Sequence, residues 1–260
     1  MELLENKKLP LSVIIITKNE EERLPHCLKS VNFAEDIVVV DAGSQDRTIE
    51  IAKSFGCRVF IEKWKGYGPQ KQSALEKTYY KWVLSLDADE RIPPETAQII
   101  SQVIQAPKAQ AYSFLRKNFF HGKWIKYCGW WPDRVIRLFE KGHGKFEGMV
   151  HETWVTEGKI IELKAPIEHY SYENYSQMLK KLDEYSSTRA RELYDKGIRV
   201  NLLTPFLHGG WMFIRSYFLK LGFLNGLDGF VISFMNAGSS FFKYAKLLEL
   251  QKYARSTKRL

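Results

Sequence analysis

The chain holds three cysteines, Cys27, Cys57 and Cys128. They are far apart, odd in number and free of any CxxC spacing. That excludes a disulfide framework and a cysteine-built zinc site, and it fits a reducing cytoplasm. Long apolar runs are missing as well. A spanning helix needs about 20 apolar residues, and the longest candidate, "GFVISFMNAGSSFF" at 229–242, is interrupted by Asn and Ser. The start, "MELLENKKLPLSVIII", puts its acids first, unlike the basic opening of a signal peptide. No Walker A sequence and no GxSxG elbow is present, and "GYGPQ" at 66–70 is not GxGxxG. These absences argue against a P-loop nucleotidase, an α/β-hydrolase and a nicotinamide dehydrogenase. No internal repeat or low-complexity linker interrupts the chain.

What is present suits a globular protein. A length of 260 residues allows one large domain, or one domain with an appended module. The hydrophobic fraction of 45% against 27% charged residues is that of a packed chain rather than a disordered one. The formal net charge of +9 suits nucleic acid, an anionic membrane surface or a phosphorylated substrate, and charge alone does not choose among them.

The first 90 residues alternate between two patterns. "LSVIIIT" (11–17) is a continuous β-branched run, as expected of a strand buried on both faces. "KNEEERLPHCLKSV" follows with helical spacing that puts Leu24, Leu28 and Val31 on one face. "DIVVVDAG" (36–43) predicts a second strand, and "SQDRTIEIAKSFG" a helix capped by Ser44 or Asp46 and ended by Gly56. "CRVFIE" (57–62), "GPQKQSALEKTYY" and "KWVLSLD" (81–87) add a strand, a helix and a strand. Such β-α alternation with short connections predicts a mostly parallel, doubly wound sheet flanked by helices. After residue 90 the pattern changes. A helix started by Pro93-Pro94 precedes two alternating runs, 111–120 and 134–141, which read as antiparallel strands beside the parallel core. "GHGKFEGMVHETWV" then leads into "KIIELKAPIEHY", and from about residue 172 the chain becomes helical.

Ligands on such sheets bind at the carboxyl ends of the strands. Thr17, Asn19 and Glu20, Asp41, and Asp87 with Asp89 all fall there. A cap or turn role explains any one of them but not the set. The Asp-x-Asp at 87–89 suits a hard divalent cation, Mg²⁺ or Mn²⁺, which takes oxygen ligands and shares substrate phosphates. Alone, that tripeptide occurs often by chance, as a surface turn more often than as a metal site.

Taken together, "SVIIITKNEEERLPHCLKSV", "DIVVVDAGSQDRT", "GYGPQKQSAL" and "WVLSLDADE" resemble the family 2 glycosyltransferases of the GT-A (Rossmann-like) fold, over roughly residues 11–155. The resemblance implies that Thr17, Asn19 and Glu20 lie near the nucleotide and that Asp41 holds its base. It also implies that Lys71 and Gln72 lie near the diphosphate, although an exposed helix lysine is an equal reading of Lys71. Asp89 then resembles the direct metal ligand, Asp87 its partner toward ribose or sugar, and His151 in "FEGMVHETW" a further metal ligand. Glu152 is the first choice for the base that deprotonates the acceptor hydroxyl. Asp133 in "WWPDRVIRLF" is the second, unless it only pairs with Arg134 or Arg137. A finer resemblance, carried by "WWPDRVIRLFEK", "VHE" and the aromatic tail, is to the bacterial lipopolysaccharide-core β-1,4-glucosyltransferase branch.

The expected arrangement is therefore a catalytic domain at 1–170 and a helical, aromatic-rich extension at 171–260. In the extension, glycines 209, 210, 222, 226 and 229 are expected to break the chain into short helices. Its aromatics and cations suit contact with a membrane surface; packing within the protein or against a second subunit is the other reading. The expected partners are a nucleotide-sugar donor such as UDP-glucose and a saccharide or glycolipid acceptor, with no nucleic acid and at the inner face of the cytoplasmic membrane. The sequence does not give the oligomeric state. A metal-dependent sugar nucleotidyltransferase is disfavoured because the first strand runs into the acidic "TKNEEERL" rather than a glycine-rich basic loop. A non-enzymatic basic scaffold accounts for the charge and the tail but not for acids gathered at three strand ends.

Overall fold

The computed structural model describes residues 8–148 and 152–257. Four parallel strands occupy the first third of the chain: β1 Leu9–Thr17, β2 Ala34–Asp41, β3 Arg58–Ile61 and β4 Trp82–Asp87. Helices α1 Leu24–Ser30, α2 Thr48–Ser54 and α3 Tyr67–Glu76 connect them. After β4 come β5 Glu90–Arg91, α4 Pro94–Gln105, β6 Ala111–Phe120, β7 Lys123–Trp124 and β8 Arg134–Glu140. β9 Lys145–Glu147 and β10 Thr153–Val155 form a separate antiparallel pair, and β11 Ile160–Tyr172 follows. The large sheet runs β3-β2-β1-β4-β8-β6-β11-β5, with β7 paired to β6. The fold is thus α/β, with a parallel segment extended by antiparallel strands, as the alternating pattern predicts. The short pair β9–β10, read from the sequence only as a connection, is new.

Strand alternation sorts the core into two layers. Val13, Ile15, Val39 and Leu84 pack with Leu24, Leu28, Ala52 and Ile100 from α1, α2 and α4. On the other face Ile14, Val38, Val40 and Val83 pack with Ala74 and Leu75 of α3 and with Phe139, Phe146 and Trp154. Each such side chain contributes about 1.5–3 kcal/mol when fully buried. A polar cluster joins the strands on this second face, at their starts. Asp36 accepts from Ser12 Oγ at 2.6 Å and pairs with Arg58 Nε at 2.9 Å. Helix α1 starts at Leu24, later than its sequence pattern allowed, because the preceding residues are held by the neighbouring loop. Pro25 stands in its first turn, where the missing N–H costs nothing.

The chain divides into two compact units. The first comprises residues 1–117 and 133–169, the second 118–132 and 170–260. Residues 118–132, placed by the sequence reading in the N-terminal domain, therefore group with the helical unit. That unit contains α5 Tyr175–Asp195, capped by Asn174 Oδ1 on the Gln177 amide at 3.0 Å. It continues with α6 Thr204–Ile214, a wider turn over Arg215–Leu219, a short 3₁₀ turn over Gly222–Asn225, and α7 Gly226–Thr257. Gly222 and Gly226 stand at the break as expected, but the other three glycines do not. Gly209 and Gly210 lie within α6, and Gly229 lies within the 32-residue α7. A Cβ on Gly209 would sit 3.1 Å from the Phe241 Cβ, so this glycine permits close helix approach rather than breaking the helix. The chain breaks between Arg215 and Asn225 instead, where Leu221 takes a left-handed φ of 52°.

Candidate active site

The register of the parallel strands aligns their polar ends. Thr17 stands opposite Asp41, and Ile16 stands opposite Asp87. The loops after β1 and β2 are tied to each other by side chains. Asn19, at a left-handed φ of 55°, accepts from the Gln45 amide through Oδ1 at 2.8 Å, and its own amide donates to Ser44 Oγ at 2.8 Å. The Glu20 amide donates to Thr48 Oγ1 at 2.8 Å, and the Glu21 amide to Asp46 Oδ2 at 3.2 Å. Asp46 Oδ1 also accepts from the Thr48 amide at 3.0 Å, but the N-cap of α2 is Arg47, so neither Ser44 nor Asp46 stands in the capping position expected of it.

Asp41 is fully buried and accepts four hydrogen bonds. Its Oδ1 takes the amides of Gly43 and Ser44 at 2.9 and 2.7 Å, and its Oδ2 takes Thr17 Oγ1 and Ser44 Oγ at 2.7 and 2.6 Å. A carboxylate offers about four lone-pair positions. In this structure Asp41 therefore spends its acceptor capacity on building the loop on which Asn19 and Ser44 stand.

At the end of β4 the acids meet cations from three other segments. Lys71, on α3, is fully buried; its Nζ lies 2.6 Å from Asp87 Oδ1 and 2.6 Å from Glu152 Oε1. Arg137, on β8, places Nη2 2.6 Å from Asp87 Oδ2 and 2.7 Å from Glu90 Oε1. Arg116, on β6, lies 3.4 Å from Glu90 and 2.8 Å from Asp133 Oδ2. The result is a chain of alternating charge: Glu152, Lys71, Asp87, Arg137, Glu90, Arg116, Asp133. Burial alone would push the Asp87 carboxyl up. Arg137 and then Lys71 outweigh it and hold the group well below the ordinary carboxylate range. Glu90 is fully buried, and its Oε2 also accepts from the Asp87 amide at 3.2 Å, which closes the turn.

This places most of the residues singled out from the sequence. Lys71 is not an exposed helix lysine; it is the bridge between Asp87 and Glu152. Gln72 accepts from the Phe146 amide at 3.2 Å and so anchors β9. Asp133 pairs with Arg116 rather than with Arg134 or Arg137, because Arg134 turns to Glu162 at 3.1 Å and Arg137 turns inward. Asp89 has a neighbour that sequence reasoning missed. His169, opposite Glu90 on β11, brings Nε2 to 3.4 Å from Asp89 Oδ2. His151 lies outside the described residues. Arg137 and Arg116 were missed as site residues. The available signal was a cation inside an alternating strand, Arg137 between Ile136 and Leu138.

Among the described residues no three His, Cys, Asp or Glu side chains converge as metal ligands. Asp87 is a poor donor for a second cation, since Lys71 and Arg137 already occupy both of its oxygens. Asp89 with His169 is a different case. The Asp89 carboxylate is the kind of oxygen ligand a hard cation takes, leaving the rest of its shell to water and substrate phosphate, with the His169 imidazole beside it.

The family described as Glycosyl transferase family 2 matches residues 12–156. An uncharacterized glycosyltransferase of Rickettsia typhi is 31% identical over 264 residues, covering 95% of this chain and 89% of its own length. The lipopolysaccharide core biosynthesis glycosyltransferase LpsC of Rhizobium meliloti is 29% identical over 256 residues, covering 93% of each chain. The undecaprenyl-phosphate 4-deoxy-4-formamido-L-arabinose transferase of Pseudomonas paraeruginosa is 32% identical over 145 residues, 49% of this chain and 40% of its own. The chain belongs to glycosyl transferase family 2.

Proposed function

We propose that the protein transfers a hexose, glucose in the first instance, with inversion from a nucleotide sugar such as UDP-glucose to a lipid-linked saccharide. The setting is lipopolysaccharide-core or other cell-envelope glycan synthesis at the inner face of the cytoplasmic membrane. The observation that carries this reading is the shared Lys71 ammonium. It fixes the candidate base Glu152 beside the acidic end of β4, where the family resemblance puts the diphosphate and the sugar.

In this scheme the loops built on Asp41 present Thr17, Asn19 and Glu20 to the nucleoside. Asp87, held by Lys71 and Arg137, orients the donor through the oxygens' remaining capacity. Asp89, with His169 and the expected His151, would hold a divalent cation, which supplies positive charge to the leaving diphosphate. Lys71 holds Glu152 through Oε1, and the acceptor hydroxyl is matched to the other oxygen, which takes its proton. Glu152 is favoured over Asp133 because one ammonium, Lys71, links it directly to Asp87, whereas the path from Asp133 runs through Arg116, Glu90 and Arg137. The lipid-linked acceptor is supported by what the lipopolysaccharide-core and undecaprenyl-phosphate relatives are named for.

The test is a thermal-shift panel of nucleotide sugars with and without Mn²⁺, followed by transfer assays. A ligand that binds only the native state raises its melting temperature. UDP-glucose with Mn²⁺ is expected to give the largest rise. Asp89→Ala should lose both the Mn²⁺-dependent part of that rise and turnover, and Glu152→Gln should keep the rise and lose turnover. A panel with no stabilising nucleotide sugar would refute the reading, and wild-type turnover in Glu152→Gln would pass the base to Asp133.

A further inference from the structure

The second unit keeps a small apolar core around Phe120, Ile125, Met178 and Ile232, yet leaves much of its apolar surface facing outward. Along α6, the turn after it and α7, many of the large apolar side chains point outward. Phe206, Leu207, Trp211, Leu219, Leu227 and Phe234 are each more than half exposed. Beside Ile232 and Leu247, the buried face carries small and polar residues: Gly209, Ser216, Gly222, Gly229, Ser233 and Ser240. These make close backbone contact and hydrogen bonds. A Cβ on Gly229 would lie 1.9 Å from the Gly222 carbonyl oxygen, and Asn236 Nδ2 donates to Ser216 Oγ at 3.0 Å. A water-soluble helix pair puts its apolar stripe inward and its polar residues outward. The reverse arrangement is that of helices whose surroundings are apolar, where small residues let backbones approach and polar side chains bond between helices.

Two observations say what those surroundings are. Among the described residues no single helix is long and apolar enough to cross a membrane, and the segments Thr204–Leu219 and Gly222–Lys252 meet at a bend of 67°. The exposed cations Arg215 and Lys220 stand near that bend, among Phe218, Leu219 and Leu221. Over residues 196–260 the sequence has ten lysines and arginines against two acids, Asp228 and Glu249. An apolar face edged by cations matches an anionic lipid leaflet in both chemistry and charge.

We propose that the bent pair α6–α7 lies within one leaflet of an anionic bilayer, its outward faces among the upper acyl chains and its cations at the headgroups, without crossing. This deepens the membrane location given above, and its test reads separately from donor binding. Full-length protein is sedimented with phosphatidylcholine vesicles, with and without phosphatidylglycerol. Binding is expected to be strongest with phosphatidylglycerol and to persist in part at high salt, since screening removes the charge contribution and leaves the apolar one. Leu207→Glu with Leu227→Glu, both at exposed positions, should weaken vesicle binding by on the order of tenfold or more. The same variant should keep the wild-type thermal shift with nucleotide sugar, which shows that it folds. Tryptophan quenching by brominated lipids should be stronger for bromines near the headgroup than at the chain ends. Absence of vesicle binding, equal binding by the variant, release of all protein by salt, or strongest quenching at the chain ends would each overturn the proposal. So would a dimer that the variant dissociates in a protein without affinity for vesicles, because the face would then be an interface between two copies.

Discussion

Arg137→Met tests the buried charge chain most directly. Arg137 serves two carboxylates at once, Asp87 at 2.6 Å and Glu90 at 2.7 Å, and Glu90 is fully buried. Removing one partner of a buried ion pair leaves an uncompensated charge, at a cost of about 3–5 kcal/mol. Lys71 still holds Asp87, and Arg116 still lies 3.4 Å from Glu90, so the lower end applies. The expected loss is about 3 kcal/mol, a large share of the ~5–15 kcal/mol by which domains are stable. Urea unfolding measures it as a fall in midpoint at unchanged slope. A second variant separates charge from packing. Adding Glu90→Gln removes one of the orphaned acids, and the double variant should recover about 1 kcal/mol or more relative to additivity. A single-variant loss under about 0.5 kcal/mol, or strict additivity, would refute the claim that Arg137 neutralises this pair.

Three further outcomes are expected. Gly68→Ala should destabilise by about 1–3 kcal/mol in urea despite the better helix propensity of alanine, because the new Cβ would meet the Gly148 carbonyl oxygen at 2.4 Å; a stabilised variant would sink that contact. Asp41→Asn should lose about 2 kcal/mol or more, since an amide oxygen replaces only half of the acceptor capacity used by Thr17, Gly43 and Ser44; an unchanged melting curve would show that the loop does not depend on it. Hydrogen bonds from Lys65, Lys77 and Ser73 hold Glu62 down to about 2 against an ordinary 4.5. Its folded pKa is depressed, so the stability it contributes is present above pH 4.5 and lost as pH falls toward 2. Glu62→Gln should therefore flatten the acid limb of stability against pH in that window by up to about one proton, and an unchanged slope would remove Glu62 as its source.

The parallel core was legible because each of its strands is a largely apolar run followed by a polar residue, and each helix shows its own period. The acids were legible for the same reason: Asp41, Asp87 and Asp89 interrupt hydrophobic runs at strand ends. Their counter-ions were not. Arg116 and Arg137 lie on antiparallel strands whose pairing brings residues 116 and 137 to the end of β4, and no local pattern states that pairing. His169 depends likewise on β11 pairing with the two-residue β5. The small sheet β9–β10 escaped because three-residue strands have no measurable alternation. Gly209, Gly210 and Gly229 were misread because a glycine that breaks a helix and one that lets two helices touch have the same local sequence, and only the partner residue, Phe241 for Gly209, tells them apart.

The salt bridge from Lys71 to Glu152 joins residues 81 positions apart in sequence. Glu152 precedes a three-residue strand, so its own element does little to fix it. Its coordinates are borrowed from α3, through one ammonium, and α3 is in turn seated by Ala74 and Leu75 on the face of the sheet. A lesion in that seat would act as a change of aim. Trimming Leu75 would shift the carboxylate by tenths of an ångström long before the fold failed. In a survey of variants such a site would register as a loss of turnover in soluble, folded protein, at positions that touch no substrate.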